Sequence, residues 1–281
     1  MIKAIDYWCN CLMFPGAAQR VFEWEDVVEA LERFNRVDLI KEFSPEEFVT
    51  MLDDAGVEKV LLPAVQIWDY KTRKMGWYYS VEEIADVVSK HPDRFGGLYG
   101  INPYQKMEGV RQLEKAVKEC GFVGAHLHVY GYERPINHRD LYPFYAKCVE
   151  LDVPVVMQVG HSAESMPSAM ARPILIDDVA LYFPELRIVA AHTGWPWTEE
   201  LIAMATKHPN VYIGTSAYAP KYWDKSLVRF INSQGRGKAL FGTDYPLVTH
   251  HEALEQIDAL GLSEKAKEQF LRETPLKVFK L

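Results

Sequence analysis

Residues 172–197 read "RPILIDDVALYFPELRIVAAHTGWPW" and decide how this chain is interpreted. The part "DDVALYFPEL" has the apolar spacing of a helix, and "RIVAAH" is a short, apolar run. Such runs are typical of parallel strands that are covered on both faces. His192 ends the run and a polar turn follows it, so this stretch predicts one helix–strand unit with a chemically useful side chain at the strand end.

The same unit recurs outward in both directions. Strands are predicted at 3–8, 57–64, 95–101, 123–129, 154–160, 187–192, 210–215 and 238–243, with helical segments between them. Eight alternating strands and helices predict a single-domain α/β fold, a (β/α)8 TIM barrel spanning residues 1–281. An open doubly wound sheet would favour a glycine-rich phosphate loop, and no GxGxxG or GxxxxGK[ST] motif occurs.

Local signals place several helix ends and loops. Ser44 and Pro45 begin one predicted helix, which ends at Gly56, and Ser80 with Glu83 has the capping-box spacing. Residues 9–43 form a long connection with one predicted helix, and residues 66–80 are predicted to be irregular. Both segments follow strand C-termini and would cover the active face of a barrel.

Composition narrows the classes of partner. The net charge of −8 argues against nucleic-acid binding, and no apolar run approaches the ~20 residues that span a bilayer. The first residues lack the apolar core of a signal peptide. Four cysteines without a CxxC pair predict free, mostly buried thiols in a reducing cytoplasm. A small-molecule partner is therefore expected.

Histidines near predicted strand ends are the main candidates for chemistry. His128, His161 and His192 fall where a barrel brings strand ends to one rim. His126 shares the side of His128 but lies deeper, which favours packing in the barrel interior. The others are expected elsewhere: His91 and His208 at the surface on helix C-termini, His138 at a helix start, and His250 and His251 near the mouth.

Two aspartates lie on the terminal strands. Asp244 directly follows the last strand in "FGTDYP", where it could be a catalytic acid or a turn-capping residue. Asp6 lies within strand one, and alternation places it on the same side as Trp8 and Asn10. We expect Asp6 to face the barrel or a polar group of a neighbouring strand.

These segments together resemble the amidohydrolase superfamily, in the amidohydrolase 2 branch of aminocarboxymuconate-semialdehyde decarboxylase-like enzymes. The resemblance runs through nearly the whole chain, and residues 172–198 and 238–246 carry its most specific motifs. It implies a (β/α)8 barrel, hydrolysis or non-oxidative decarboxylation of small aromatic or carboxylated molecules, frequently one divalent metal, and a homodimer.

The family's metal-binding positions are only partly kept. His192 and Asp244 match the family pattern, whereas Trp8 and Asn10 occupy the two strand-one histidine positions and Gln158 the strand-five position. Indole cannot ligate a metal, and amide oxygens suit hard ions better than zinc. A standard zinc site is therefore not expected.

Three functional interpretations stay open. In the first, a metal-free hydrolase cleaves a lactone- or ester-like C–O or C–N bond, with Asp244 and His192 as catalytic residues. In the second, one divalent ion, zinc or manganese, is held by His128, His161, His192 and Asp244, which allows hydrolysis or metal-dependent non-oxidative decarboxylation. In the third, the chain is a catalytically degenerate subunit that binds a ligand or a partner. Hydrolysis is the leading expectation.

Substrate contacts are expected from residues around the rim. The candidates are His128, Gln158, Arg172, Trp8 and Asn10, with Lys71 or Arg73 as further partners for a substrate carboxylate. Aromatic residues on the predicted mouth loops suit a flat or apolar molecule. They are Trp68, Tyr70, Trp77, Tyr78, Trp195, Trp197 and Tyr218.

Overall fold

Eight parallel strands form one continuous sheet in the computed structural model, which describes residues 2–281. In chain order the strands are β1 (Ala4–Asp6), β2 (Val57–Ala64), β3 (Gln66–Trp68), β4 (Met75–Tyr78), β5 (Phe95–Gly100), β6 (Phe122–Leu127), β7 (Val155–Gln158), β8 (Ile188–Ala191), β9 (Val211–Gly214) and β10 (Ala239–Leu240). The large sheet has the order β1-β2-β5-β6-β7-β8-β9-β10, and β3 pairs only with β4. Each of the eight predicted strands overlaps one strand of this sheet, so the predicted TIM barrel is confirmed.

The barrel is closed by the segments that follow its first and last strands. The Tyr7 backbone N–H donates to the Phe241 carbonyl (3.1 Å), and the Asp244 N–H donates to the Trp8 carbonyl (2.9 Å). Cys9 and Tyr245 form a parallel bridge just beyond. The segments that follow β1 and β10 are therefore held side by side, which brings their residues to the same rim of the barrel.

Helices surround the sheet. They are α1 (Ala17–Phe22), α2 (Glu25–Arg33), α3 (Pro45–Ala55), α4 (Val81–Lys90), α5 (Lys106–Glu119), α6 (Tyr142–Glu150), α7 (Ile176–Tyr182), α8 (Thr198–Lys207), α9 (Lys225–Asn232), α10 (His250–Asp258), α11 (Glu264–Glu268) and α12 (Thr274–Phe279). Short 3-10 turns occur at Val37–Leu39, Pro103–Gln105, Arg139–Leu141, Ser168–Ala171, Pro173–Leu175, His192–Gly194 and Pro220–Tyr222, and a π turn at Gln269–Glu273. The predicted capping boxes of Ser44 and Ser80 are both present.

A separate apolar cluster fills the barrel interior. Leu61, Leu98, Val156, Val189 and Leu240 contribute to it and are fully buried. Trp8 belongs to the same cluster and is only 1% exposed. The interior is therefore packed with side chains, as expected for this fold, and chemistry is restricted to the rim.

The two long connections are more regular than the sequence suggested. Residues 66–80, predicted to be irregular, contain the β3–β4 hairpin, whose turn is fixed by the Thr72 N–H donating to the Asp69 carboxylate (2.6 Å). Residues 9–43 contain two helices instead of one, because Trp24 interrupts the helical backbone between α1 and α2. Loop hydrogen bonds of this kind leave no periodic signal in the sequence.

Two histidine placements were wrong. His208 is buried, not at the surface, because its ring contacts the Asp177 carboxylate (2.5 Å). His250 does not edge the mouth; it is buried, and its Nε2 donates to Asp6 (2.9 Å).

Two further properties concern the chain as a whole. All four cysteines are unpaired, and three of them are buried. Within residues 2–281, no helix combines the length and apolar character that crossing a membrane requires.

Candidate active site

One cavity opens at the C-terminal rim of the barrel. It encloses about 870 Å³ of space between atoms, including a part that is open to solvent. Its polar side is formed by Asn10, Gln158, His161, Glu164, His192 and Asp244. Its apolar side is formed by residues that include Val21, Val27, Ala30, Leu31, Phe34, Ile40, Val65, Ile67, Trp77 and Leu247. The long connection 9–43 and the β3–β4 hairpin therefore build the apolar wall over a polar floor.

Asp244 lies on that floor, and few hydrogen-bond donors contact its carboxylate. Its Oδ1 accepts a hydrogen bond from the Asn10 Nδ2 (2.6 Å), and its side chain is 8% exposed. Burial raises the pKa of Asp244 to about 7, although the Asn10 hydrogen bond opposes the rise and the Glu164 and Asp6 charges add to it. A carboxyl group with this pKa can donate or accept a proton near neutral pH.

His192 faces the same cavity and is held from behind. Its Nδ1 lies 2.9 Å from the Ser216 Oγ, and that oxygen lies 2.5 Å from the Tyr7 hydroxyl. Burial lowers the pKa of His192 to about 4, so the ring is neutral at neutral pH. Since Nδ1 is occupied, Nε2 is the ring nitrogen left for a molecule in the cavity.

His192 and Asp244 also share an unusual backbone conformation. Their φ angles are +62° and +56°, in the left-handed region that side-chain-bearing residues seldom adopt. Such conformations cost about 1–3 kcal/mol each and cluster at functional sites. The two residues that match the family pattern are thus also two residues with backbone strain at the rim.

Glu164 is a site residue that the sequence did not reveal. Its Oε2 accepts a hydrogen bond from the Ser162 hydroxyl (2.8 Å) and lies 3.9 Å from the His128 Nε2. Burial alone would raise the pKa of Glu164, but His128 and Ser162 outweigh that effect and lower it to about 2. Glu164 lies in the loop after β7, where neither periodicity nor spacing distinguishes a carboxylate that faces the cavity from one that faces solvent.

Trp8 fills the floor between two histidines. Its ring centroid is 4.4 Å from that of His126 and 4.8 Å from that of His192. Its indole N–H points to the Asn10 Oδ1 (3.4 Å). His126 therefore packs in the interior beneath the indole, and the volume next to His192 is occupied by an aromatic ring.

The side chains at the rim do not fit a catalytic metal ion. No three of His128, His161, His192 and Asp244 bring ligand atoms within 4.8 Å of one another; the single such group of His, Cys, Asp or Glu within residues 2–281 is Asp6, Cys9 and His250. In that group the Asp6 carboxylate and the His250 ring already share a hydrogen bond. Trp8 has no lone pair to offer, and both functional ends of the Asn10 amide are engaged.

The remaining predicted site residues are distributed as follows. Gln158 and His161 line the cavity, whereas His128 is buried behind Glu164. Arg172 does not line it: this side chain is exposed, pairs with Glu200 (3.2 Å) and lies over the ring of Trp197. Lys71 and Arg73 likewise form ion pairs outside the cavity, with Asp26 and Glu133. Of the seven mouth aromatics, Trp77 and Tyr218 line the cavity.

Comparison with known families decides the assignment. The amidohydrolase family model described as "Amidohydro_2: Amidohydrolase" matches residues 23–281. The chain belongs to this amidohydrolase family.

Characterised relatives of this amidohydrolase are lyases. A gamma-resorcylate decarboxylase from Polaromonas is 25% identical over 83% of this chain and 86% of its own length. A 2-keto-4-carboxy-3-hexenedioate hydratase from Sphingobium is 29% identical over 60% of this chain, but the match spans only 53% of that protein. A 2-amino-3-carboxymuconate-6-semialdehyde decarboxylase from Dictyostelium discoideum is 26% identical over 60% of this chain and 55% of its own length.

Solved structures show the same fold. A TIM-barrel protein from Bordetella bronchiseptica has a TM-score of 0.78 at 24% identity, with 99% of this chain and 98% of that chain covered. A 5-carboxyvanillate decarboxylase from Novosphingobium aromaticivorans, complexed with manganese and a nitrobenzoic acid, has a TM-score of 0.73 at 18% identity and covers 99% and 96%. Neighbours of this fold thus bind small benzoate-like molecules, and a divalent metal is a possibility for the fold.

The leading expectation of a hydrolase was wrong. The relatives that span most of their own length are decarboxylases, and decarboxylation was the alternative that the sequence left open. One fold can host different reactions, so the class of reaction depends on which groups face the cavity.

Proposed function

We propose that this amidohydrolase-family chain is a non-oxidative decarboxylase of a small aromatic carboxylic acid. The observation that carries the proposal is the Asp244 carboxyl group, which is buried in the segment after β10 and faces a cavity with an apolar wall. The decarboxylase relatives, which share most of the chain, support the same class of reaction. The cytoplasm and a homodimer stay predictions for its location and assembly.

Asp244 is suited to deliver the proton that decarboxylation requires. Protonated Asp244 transfers its proton to the ring carbon that bears the carboxylate. The bond between that carbon and the carboxylate then breaks and CO2 leaves. The electron pair of the broken bond stays with the ring and restores its aromaticity. The substrate anion and one proton become the arene and CO2, and solvent returns the proton to Asp244.

The charges around the cavity favour the departure of CO2. No lysine or arginine of the chain from residue 2 to residue 281 lines the cavity, and Glu164 is ionised there. A substrate carboxylate is therefore poorly solvated inside, and its conversion to neutral CO2 removes a negative charge from an apolar space. His192, neutral and held by Ser216, orients the substrate through Nε2.

The chain's own residues provide these steps without a metal ligand set. Manganese in the structural neighbours makes a divalent ion a possibility, but Trp8, Asn10 and Gln158 occupy the positions where the family carries histidines. We therefore assign the proton transfer to Asp244 and no step to a bound ion. Metal analysis of the purified protein tests this part of the proposal separately.

The test is CO2 release from a panel of acids that includes 2,6-dihydroxybenzoate and 5-carboxyvanillate. In D2O, the product should carry one deuterium at the vacated ring position. Asp244→Asn should lower the rate by about 10²- to 10⁴-fold, as expected for loss of a general acid. The exposed Asp93→Asn is the matched control and should keep full activity.

Two results would contradict the proposal. Folded protein that releases no CO2 from any acid, with or without added manganese, would exclude this activity for the panel. Addition of water to a carboxylated enoic acid, without CO2 release, would place the chain with its hydratase relative instead.

A further inference from the structure

Glu164 is a buried carboxylate of the cavity that takes no direct part in the proposed proton transfer. It is the carboxylate of the loop after β7, its side chain is 14% exposed, and it faces the same space as Asp244. Both carboxylates line the same cavity, so one small molecule in it could contact both.

The hydrogen bonds of Glu164 leave one of its oxygens free. Ser162 donates to Oε2, and the buried His128 lies 3.9 Å from that same oxygen. Within residues 2–281, no donor makes a hydrogen bond to Oε1. Among these residues, neither buried ring nitrogen of His128 has a hydrogen-bond partner, so Ser162 is the side-chain donor that holds the Glu164 carboxylate.

The surroundings indicate which donor fits the free oxygen. The opposite wall is apolar and includes Leu31, Ile67 and Trp77. A hydroxyl on an aromatic ring costs less to desolvate beside such a wall than an ammonium does. The ring itself would pack against the apolar wall, and its hydroxyl would then lie on the polar floor.

We propose that Glu164 is a specificity-determining residue that accepts a hydrogen bond from a ring hydroxyl of the ligand. The contact is made by the protein itself and requires no metal ion. The cavity would therefore distinguish a hydroxylated aromatic ring from the same ring with methoxy groups. This inference rests on the proposed function for the class of ligand, but the binding contact is measurable without turnover.

The experiment compares resorcinol with 1,3-dimethoxybenzene, which has the same ring and no donor. Binding is followed by calorimetry and by quenching of the tryptophan fluorescence. The protein is first treated with a chelator, so that no metal ion can coordinate the hydroxyl group of the ligand. Wild-type protein should bind resorcinol roughly 10-fold more tightly or better, as charge-assisted hydrogen bonds allow. Glu164→Gln should lose most of that preference and bind 1,3-dimethoxybenzene as before.

Two further variants keep the test decisive. Glu164→Asp retains the charge beside His128 but shortens the side chain, so it should weaken resorcinol binding and leave 1,3-dimethoxybenzene binding unchanged. The exposed Glu185→Gln should change neither affinity. Equal affinities of wild-type protein for the two probes would overturn the inference, as would an equal loss of both in Glu164→Asp.

The outcome is independent of the decarboxylase assay. Resorcinol binding that depends on Glu164, in protein that decarboxylates no acid, would support this inference and remove the proposed function. Decarboxylation that is insensitive to Asp244 but shows the Glu164-dependent preference would likewise separate the two. Decarboxylation with no preference for hydroxylated rings would remove the inference alone.

Discussion

Asp6, at the end of β1, and Asp244, in the segment after β10, are two buried aspartates with different environments. Asp6 accepts hydrogen bonds from the Trp8 N–H (2.8 Å), the Thr243 N–H (3.2 Å), the Thr243 hydroxyl and the His250 ring (2.9 Å). The one side-chain hydrogen bond within 3.5 Å of the Asp244 carboxylate, among residues 2–281, comes from Asn10. Asp6 is fully buried, whereas Asp244 faces the cavity.

The number of hydrogen bonds to each carboxylate separates a structural role, for Asp6, from a role in proton transfer, for Asp244. Four donors satisfy the hydrogen-bonding capacity of the Asp6 carboxylate and join the start of the chain to the segment after β10. Asp244 keeps a raised pKa because burial outweighs the opposing hydrogen bonds from Asn10 and Trp8. Hydrogen-bond saturation, more than burial, therefore distinguishes the two roles.

Removal of Asp6 should have the largest effect on stability. Asp6→Ala leaves the His250 ring and the Thr243 hydroxyl without their acceptor in the interior, which should lower the free energy of unfolding by roughly 3–5 kcal/mol. Urea unfolding followed by circular dichroism measures the change. Asp93→Ala, at an exposed position, should stay within about 0.5 kcal/mol of wild type. A near-neutral Asp6→Ala would show that the four hydrogen bonds do not hold the barrel closed.

Asp244→Asn should have the opposite effect, and only at higher pH. The folded-state pKa of about 7 lies above the ordinary aspartate pKa of 3.8, so between these two pH values the folded protein binds a proton that the unfolded chain releases. Wild-type stability should therefore fall as pH rises from about 4 to about 7, with Glu164 and Asp6 as the facing charges. Asn retains an acceptor for Asn10 and has no charge.

The gain in Asp244→Asn should consequently be absent near pH 4 and reach at most about 4 kcal/mol above pH 7. Thermal unfolding of both proteins between pH 4 and pH 8 measures it, with Asp93→Asn as the control. A difference that is independent of pH would mean that Asp244 titrates like an exposed aspartate. Stability gained together with activity lost is the signature of a strained active-site group.

The sequence supports the barrel more firmly than it supports the site. Short, largely apolar runs such as 57–64 and 187–192 predicted their strands, because burial on both faces constrains every residue of a parallel strand. The same predicted strands placed His192 and Asp244 at strand ends, and both residues line the cavity. Trp8 was expected to contact the substrate from a position where the family carries a histidine, and its ring packs against His126 and His192.

For residues outside the predicted strands, the sequence could not predict which side chains face the cavity. Glu164 and Ser216 lie in loops, where facing the cavity depends on turns that have no period. Arg172 looked suited to a carboxylate, yet a nearby Glu200 and the ring of Trp197 hold it outside the cavity. A long charged side chain can reach several possible ion-pair partners, and the sequence does not show which of these partners lies near it in the fold.

The smallest expected effect concerns the support of His192. Tyr7→Phe keeps the ring that packs under Gly214 and Gly242 but removes the hydroxyl that contacts Ser216. Ser216 would then hold the His192 Nδ1 less firmly, and kcat should fall about 3- to 10-fold, as loss of one neutral hydrogen bond allows, while KM changes little. Tyr212→Phe is the control, since Tyr212 shares the interior cluster but does not contact Ser216 or His192. Because Tyr7 acts only through Ser216, Ser216→Ala should lower kcat at least as much, and adding Tyr7→Phe to Ser216→Ala should cause little further loss. Two losses that multiply would show that Tyr7 affects the site by another route, such as packing of the barrel interior.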